Sequence, residues 1–353
     1  MDRKYAKLFA GASALALAAT SLGAAAVVAD SHEGGGYHIG VSNTLQGNGW
    51  REQMLCAMRA EAKVSGLVDE MTILNRNTDT NGQIEDLETL IAADVDAIIL
   101  NPTDRVALND VIKKATDAGI VVVAVDQAVD EESAYVFSND QVGYGYLGMK
   151  WLAEQLGGEG KVVYMRGAEG VPADTDRHTG VTQALEEYPG IEIATETFTG
   201  WAQATGAEQI QAIFNSGEEF DGLWNSGIDS TIVDAFKAAG QEFVPIVGAD
   251  NNAYVGQLVN DKANGLVGAA VTNPPVVGGA GVNLALQVLE GNPPAERTVI
   301  ITPEVWDNQI DADVETMAGA YNQALHPYYG VLYSIPGWTN YTFEDLVSCQ
   351  GPE

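Results

Sequence analysis

The stretch Val95–Gln127 reads VDAIILNPTDRVALNDVIKKATDAGIVVVAVDQ. Two short, wholly apolar, β-branched runs, Ala97–Leu100 and Ile120–Val125, bracket an amphipathic segment that predicts a helix of about fifteen residues. Runs without polar alternation are strands buried on both faces, and such strands belong to parallel sheets covered by helices. Each run ends in polar residues: Asn101-Pro102-Thr103-Asp104 after the first, Asp126-Gln127 after the second. In open α/β sheets, ligands sit just beyond the carboxyl ends of the strands.

The alternation continues on both sides. Further strands are expected at Tyr37–Val41, Met71–Leu74, Tyr135–Ser138, Lys161–Met165, Ile191–Phe198, Gly222–Trp224, Val244–Gly248, Leu266–Val271 and Thr298–Ile301, separated by helical segments. Asp311–Leu325 predicts a last helix, and His326–Glu353 is an aromatic- and Pro-rich tail that should pack on the body. Two sets of βα units imply two doubly wound lobes.

The first 29 residues read as a secretory signal. Arg3, Lys4 and Lys7 precede an Ala/Leu-rich run, and Val27-Val28-Ala29 places cleavage after Ala29. A membrane anchor is the alternative, but the run is short and rich in Ala and Gly. Cleavage leaves 324 of 353 residues, more than one core usually serves. The net charge of −32 becomes −34 once three basic residues and one acid are removed. That charge repels nucleic acid and anionic lipid.

Cys56 and Cys349 are the two cysteines. In an oxidising compartment such a pair suggests one disulfide, worth roughly 4–5 kcal/mol in the chain-entropy model for so long a loop. Two separate buried thiols are the alternative.

Catalytic signatures are missing. There is no GxSxG, no phosphate loop at Gly157–Lys161, and no GxGxxG after the first strand. The four histidines lack metal-ligand spacing. Asn77-x-Asp79-x-Asn81-Gly82, with Glu88 at position twelve, approaches a calcium loop. It falls at a strand-to-helix junction, where Thr80 or Asn81 would serve as an N-cap. No metal and no cofactor are therefore expected.

The strand ends collect Ser42, Asn43, Asn48, Trp50, Arg51, Asp126, Gln127, Arg166, Asp174, Asp176, Arg177, Trp201, Asn225, Ser226, Asp229, Asp250, Asn251, Thr272 and Asn273. Singly, each is most simply a cap or loop residue. Together they suit a polyhydroxylated ligand: Asp and Asn take hydroxyl hydrogen bonds, Arg donates a planar fork, and Trp offers a flat apolar face. The set is poor in nucleophile–base pairs, which argues against an enzyme.

From about Tyr37 to Thr302 the chain resembles the type I periplasmic substrate-binding proteins of ABC transporters, in their ribose- and galactofuranose-binding branch. The carriers are IGVSNTLQGNGWR (Ile39–Arg51), VDAIILNPTD, AGIVVVAVDQ, RHTG (Arg177–Gly180), VGAD (Val247–Asp250) and AAVTNPPVVGGAGVNLALQVLEGN (Ala269–Asn292). The resemblance implies a hinged two-lobe binding protein for a monosaccharide or polyol, exported to the periplasm, monomeric, and docking on an ABC permease in the inner membrane. Asn48 and Trp50 match first-loop contacts, and Arg51 the galactofuranose-type Gly-Trp-Arg. Asp126 matches a ring-hydroxyl acceptor, Arg177 the second-lobe Arg, Trp201 an aromatic platform, and Asp250 the Asp of a G-x-D turn. Gln127 stands where the family often has Arg, and Thr272 where the ribose type has Gln. Ser226 and Asp229 fall in a stretch that usually supplies an Asn-Asp pair.

The same match places hinge crossings near Phe137–Asp140, Val271–Pro274 and Ile301–Glu304. Lobe one is then 37–138 plus 273–301, lobe two 139–272 plus 302–325, and the tail 326–353. A chemosensor of the same fold and a secreted sugar-modifying enzyme are the alternatives. A LacI-like repressor shares the fold, but a basic, apolar leader stands where a DNA-binding headpiece would be.

Overall fold

The computed structural model describes residues 35–352, so the expected leader and its cleavage point lie outside the described residues. The first sheet holds β1 (Tyr37–Asn43), β2 (Val68–Asn75), β3 (Ala97–Leu100), β4 (Val121–Val125), β5 (Tyr135–Asn139) and β11 (Thr298–Ile301). Its order is β11-β5-β4-β3-β1-β2, with every pair parallel. The second holds β6 (Glu159–Arg166), β7 (Gly190–Phe198), β8 (Gly222–Asn225), β9 (Ile246–Ala249), β10 (Gly268–Val271) and β12 (Val305–Asp307). Its order is β12-β10-β9-β8-β6-β7, and only the edge strand β12 runs antiparallel.

The central strands are apolar throughout because each face meets a different helical layer. Ala97 and Ile99 of β3 and Val123 and Val125 of β4 join one core with α1 (Gly49–Ser65) and α9 (Val277–Leu289). Their neighbours Ile98, Leu100, Val122 and Ala124 join another with α2 (Thr80–Ala92) and α3 (Asn109–Asp117). Alternation along a strand thus feeds two cores at once. The second sheet is covered by α4 (Gln141–Gln155), α5 (Pro172–Glu187), α6 (Gln203–Ser216), α7 (Asp229–Ala239), α8 (Asn252–Asn260) and α10 (Asp311–Ala320).

Several elements differ from expectation. The helix between β3 and β4 spans nine residues rather than about fifteen. The Asp104 carboxylate accepts the N–H groups of Val106 and Ala107 at 2.8 and 2.7 Å, closing a local turn where the longer helix would begin. Asp79, rather than Thr80 or Asn81, caps α2 by accepting the Gly82 N–H at 3.0 Å. Glu88 pairs with Lys114, and Asn77 accepts the Gln46 N–H at 2.8 Å. The calcium-like spacing is therefore spent on a helix start. The last predicted helix stops at Ala320, and α11 (Phe343–Ser348) forms unheralded in the tail.

The chain passes between the two sheets at Asp140, at 272–276 and at 302–304, and these crossings bond to one another. The Asp140 N–H donates to Ile301 (2.9 Å), the Thr272 N–H to Glu304 (2.9 Å), and the Glu304 N–H to the Thr272 hydroxyl (2.8 Å). The tail then returns from the second lobe to the first, where Cys349 is disulfide-bonded to Cys56 of α1.

Candidate functional site

The carboxyl ends of both sheets face one cavity, lined from both lobes. On the first lobe, Asn48 caps α1: its side-chain oxygen accepts the Arg51 N–H at 3.1 Å. Its amide reaches across the cleft to the Trp201 carbonyl at 3.2 Å. This cap fixes where the next two residues project. Trp50 donates its indole N–H to the Asn273 carbonyl at 2.7 Å. Arg51 is buried, with one guanidinium nitrogen 3.2 Å from the Asn43 side chain. Desolvation pushes its pKa down to about 10, with Asp126 acting to raise it and Arg177 to lower it further.

Asp126 follows β4 directly with φ of +67°, a left-handed conformation costly for a residue with a Cβ. Three amides hold its carboxylate: Gln141 at 2.7 Å, Asn139 at 3.1 Å and Asn101 at 3.4 Å. Trp201 is the other non-glycine cavity residue in this backbone region, at φ +55°. A Cβ on Gly167 would lie 2.2 Å from the Trp201 ring, so the platform needs glycine beneath it. Arg166 and Asp174, paired at 2.6 Å, brace that turn, and Asp174 also accepts the Gly167 N–H at 2.9 Å.

Arg177, one turn into α5, is buried and spread over three supports. Nε donates to Gln141 at 2.8 Å, Nη1 donates to the Ser226 hydroxyl at 2.5 Å, and the guanidinium lies 4.1 Å from the Tyr144 ring centroid. The two lobes are closed on each other. Besides Asn48–Trp201, Gln127 accepts the Ala173 N–H at 2.7 Å and Arg105 pairs with Asp176 at 2.6 Å.

Of the residues singled out from sequence, Asn48, Trp50, Arg51, Asp126, Arg177 and Trp201 line the cavity. The other five stand behind it or beside it. Gln127 ties its own lobe to the open N-terminus of α5. Ser226 accepts from both Arg177 and the Trp201 indole, the latter at 3.1 Å, and so orients two cavity residues. Asp229 accepts the Asn251 amide at 2.6 Å and thereby aims Asn251, which does line the cavity. Asp250 accepts the Asn273 N–H at 3.0 Å, and Thr272 serves the hinge. Asn251 and Asn273 were visible among the strand-end residues, each one position after a residue that was chosen. Gln203 and Tyr328 also line the cavity, without a strand-end signal.

Burial raises the Asp250 carboxyl to about 7 and Asp229 to about 6, although backbone N–H donors act to lower both. One Asp250 oxygen has no hydrogen-bond partner among the described residues. A carboxyl raised by folding adds stability below its ordinary pKa of 3.8, and that contribution is lost as pH rises to about 7. The ligand-free protein should therefore lose melting temperature as pH rises from about 4 to about 7. Asp250→Asn should flatten that slope, and equal slopes by differential scanning calorimetry would remove Asp250 as its source.

The protein-family model described as periplasmic binding protein domain matches residues 39–293. The ribose import binding protein of Bacillus subtilis is 28% identical over 145 residues, covering 41% of this chain and 47% of its own. The match thus spans about half of that relative. The xylitol-binding protein of Mycolicibacterium smegmatis is 27% identical over 250 residues, 70% of this chain and 71% of its own. Among solved structures, the periplasmic binding component of the arabinose ABC transporter from Shewanella sp. ANA-3, bound to α- and β-L-arabinofuranose, superposes with a TM-score of 0.71. It is 25% identical, over 82% of this chain and 99% of that one. The chain belongs to the family that this model describes, the periplasmic binding proteins.

Proposed function

We propose that this chain is an exported receptor that captures one small sugar or polyol between its lobes and delivers it to an ABC-type permease. The observation that carries this reading is the cavity itself. Two indole faces, Trp50 and Trp201, flank a closed space into which Asp126, Arg51 and Arg177 bring buried, pre-oriented hydrogen-bonding groups. Rings flanked by such faces bury the C–H surface of a sugar, while carboxylate and guanidinium share its hydroxyls. The named ligands of the relatives, ribose, xylitol and arabinofuranose, are all five-carbon polyhydroxy compounds.

The family supports binding without turnover, and three amides tie the Asp126 carboxylate in place. Export rests on the basic, apolar leader at 1–29, and delivery on the family's transport role.

A thermal-shift panel of pentoses, pentitols, hexoses, inositols and disaccharides tests the reading. A ligand at about a hundredfold its Kd adds about 2.7 kcal/mol, on the order of 5 °C for a chain this size. One or more five- or six-carbon compounds should give that rise and no disaccharide should. A flat panel sinks the proposal, and chemical conversion of the bound sugar would replace it with an enzyme.

A further inference from the structure

The segment after α10 is tied to both lobes, and Tyr328 sits between the ties. The first N–H groups of α8 have no partner in their own helix. Asn252 donates to the Tyr329 carbonyl at 2.7 Å and Ala253 to the Pro327 carbonyl at 2.9 Å. The Val331 N–H donates to the Asp250 carbonyl at 3.1 Å, and Asn251 and Gly330 form an antiparallel bridge. Those bonds are to the second lobe. At Gly330 the first lobe takes hold: Gln53 of α1 donates to its carbonyl at 3.0 Å and accepts its N–H at 2.6 Å. Further on, Trp338 meets Phe137 edge-on at 4.9 Å, and Glu61 accepts two bonds from Asn340. Cys349 is bonded to Cys56.

Tyr328 lines the cavity together with Asn48, Gly49 and Trp50. A Cβ on Gly49 would lie 2.6 Å from the Tyr328 Cβ, so glycine there is what lets the tail approach the loop that carries Asn48 and Trp50. No crossing of the hinge supplies this residue; only the strap does.

We propose that the strap is part of the binding site, and that Tyr328 is a ligand-contacting, specificity-determining residue. Its ring stands as a third aromatic wall beside Trp50 and Trp201 and limits how large a ligand the closed cleft accepts. This inference rests on the sugar-binding reading above. An aromatic wall against a desolvated ligand is the kind of contact whose truncation weakens binding most.

The test is isothermal titration of D-ribose, L-arabinose, xylitol and myo-inositol into the full chain, comparing wild type, Tyr328→Ala, Tyr328→Phe and Trp50→Ala. Tyr328→Ala should weaken the preferred compound about tenfold or more, and Tyr328→Phe should stay within about threefold, since the ring is kept. Tyr328→Ala should also narrow the gap to the larger compounds. Affinity within about twofold of wild type in Tyr328→Ala, while Trp50→Ala weakens, overturns the proposal. If wild type takes none of the four, the compound that raises the melting temperature in the wider panel replaces them, and only a flat panel fails the sugar reading; acrylamide quenching of tryptophan fluorescence then decides for Tyr328. Quenching that increases in Tyr328→Ala over Tyr328→Phe supports the wall, and equal quenching overturns it.

Discussion

Asp126→Ala and Arg177→Ala should each weaken ligand binding by roughly 2–4 kcal/mol, because each strands buried polar partners as well as removing a ligand contact. Without its carboxylate, position 126 leaves the Gln141, Asn139 and Asn101 amides facing a void. Without its guanidinium, position 177 leaves the Gln141 oxygen without its donor, leaves the Ser226 hydroxyl with the Trp201 indole alone, and exposes the face of Tyr144. Gln141 bonds both residues, so the two losses should be non-additive in the double variant. The cleft couples them through one amide, which makes Gln141→Ala weaken binding without itself lining the cavity. Calorimetric titration checks all four variants. Unchanged affinity in both single variants would show that the ligand sits elsewhere.

Cys56→Ser with Cys349→Ser should lower the free energy of unfolding by roughly 4–5 kcal/mol in the chain-entropy model, on the order of 10 °C in melting temperature. The bond joins residues 293 apart, so nearly the whole body is closed into one loop of the unfolded chain. The native state should change little, since α11 keeps its capping box at Thr342 and Asp345, and Glu61 keeps Asn340. The effect is therefore expected on the unfolded side of the equilibrium. Urea unfolding of the double variant measures it. A loss below about 1 kcal/mol would mean that tail packing, not the bond, holds Cys349 in place.

The fold was legible because its signals are local. Ile98 and Ile99 need no knowledge of distant residues to be read as one strand with two buried faces, and Asp126 ends such a strand whatever surrounds it. The hinge crossings followed from the resemblance, and the bonded crossings lie there. The candidate site was legible only by position. Strand-end polar residues gather around one cavity, but Asn251 and Asn273 line it, while Asp250 and Thr272, one place earlier, bond to backbone behind it. Ser226 and Asp229 were readable as polar and near the site, yet their work is to aim Trp201, Arg177 and Asn251.

The sequence by itself determined two doubly wound lobes, the ends of the strands where a ligand would rest, and the chemistry available there. It suggested, and the structure shows, that the two cysteines pair. Tertiary structure decided which of those residues form the wall, because that depends on strand pleat, on the left-handed backbone at Asp126 and Trp201, and on the space left by Gly167. It alone brought Tyr328 beside Gly49, 279 residues away in the chain, through bonds from α8 and Gln53 that no local pattern encodes. Periodicity reports what a segment buries; only the folded chain reports what two distant segments enclose.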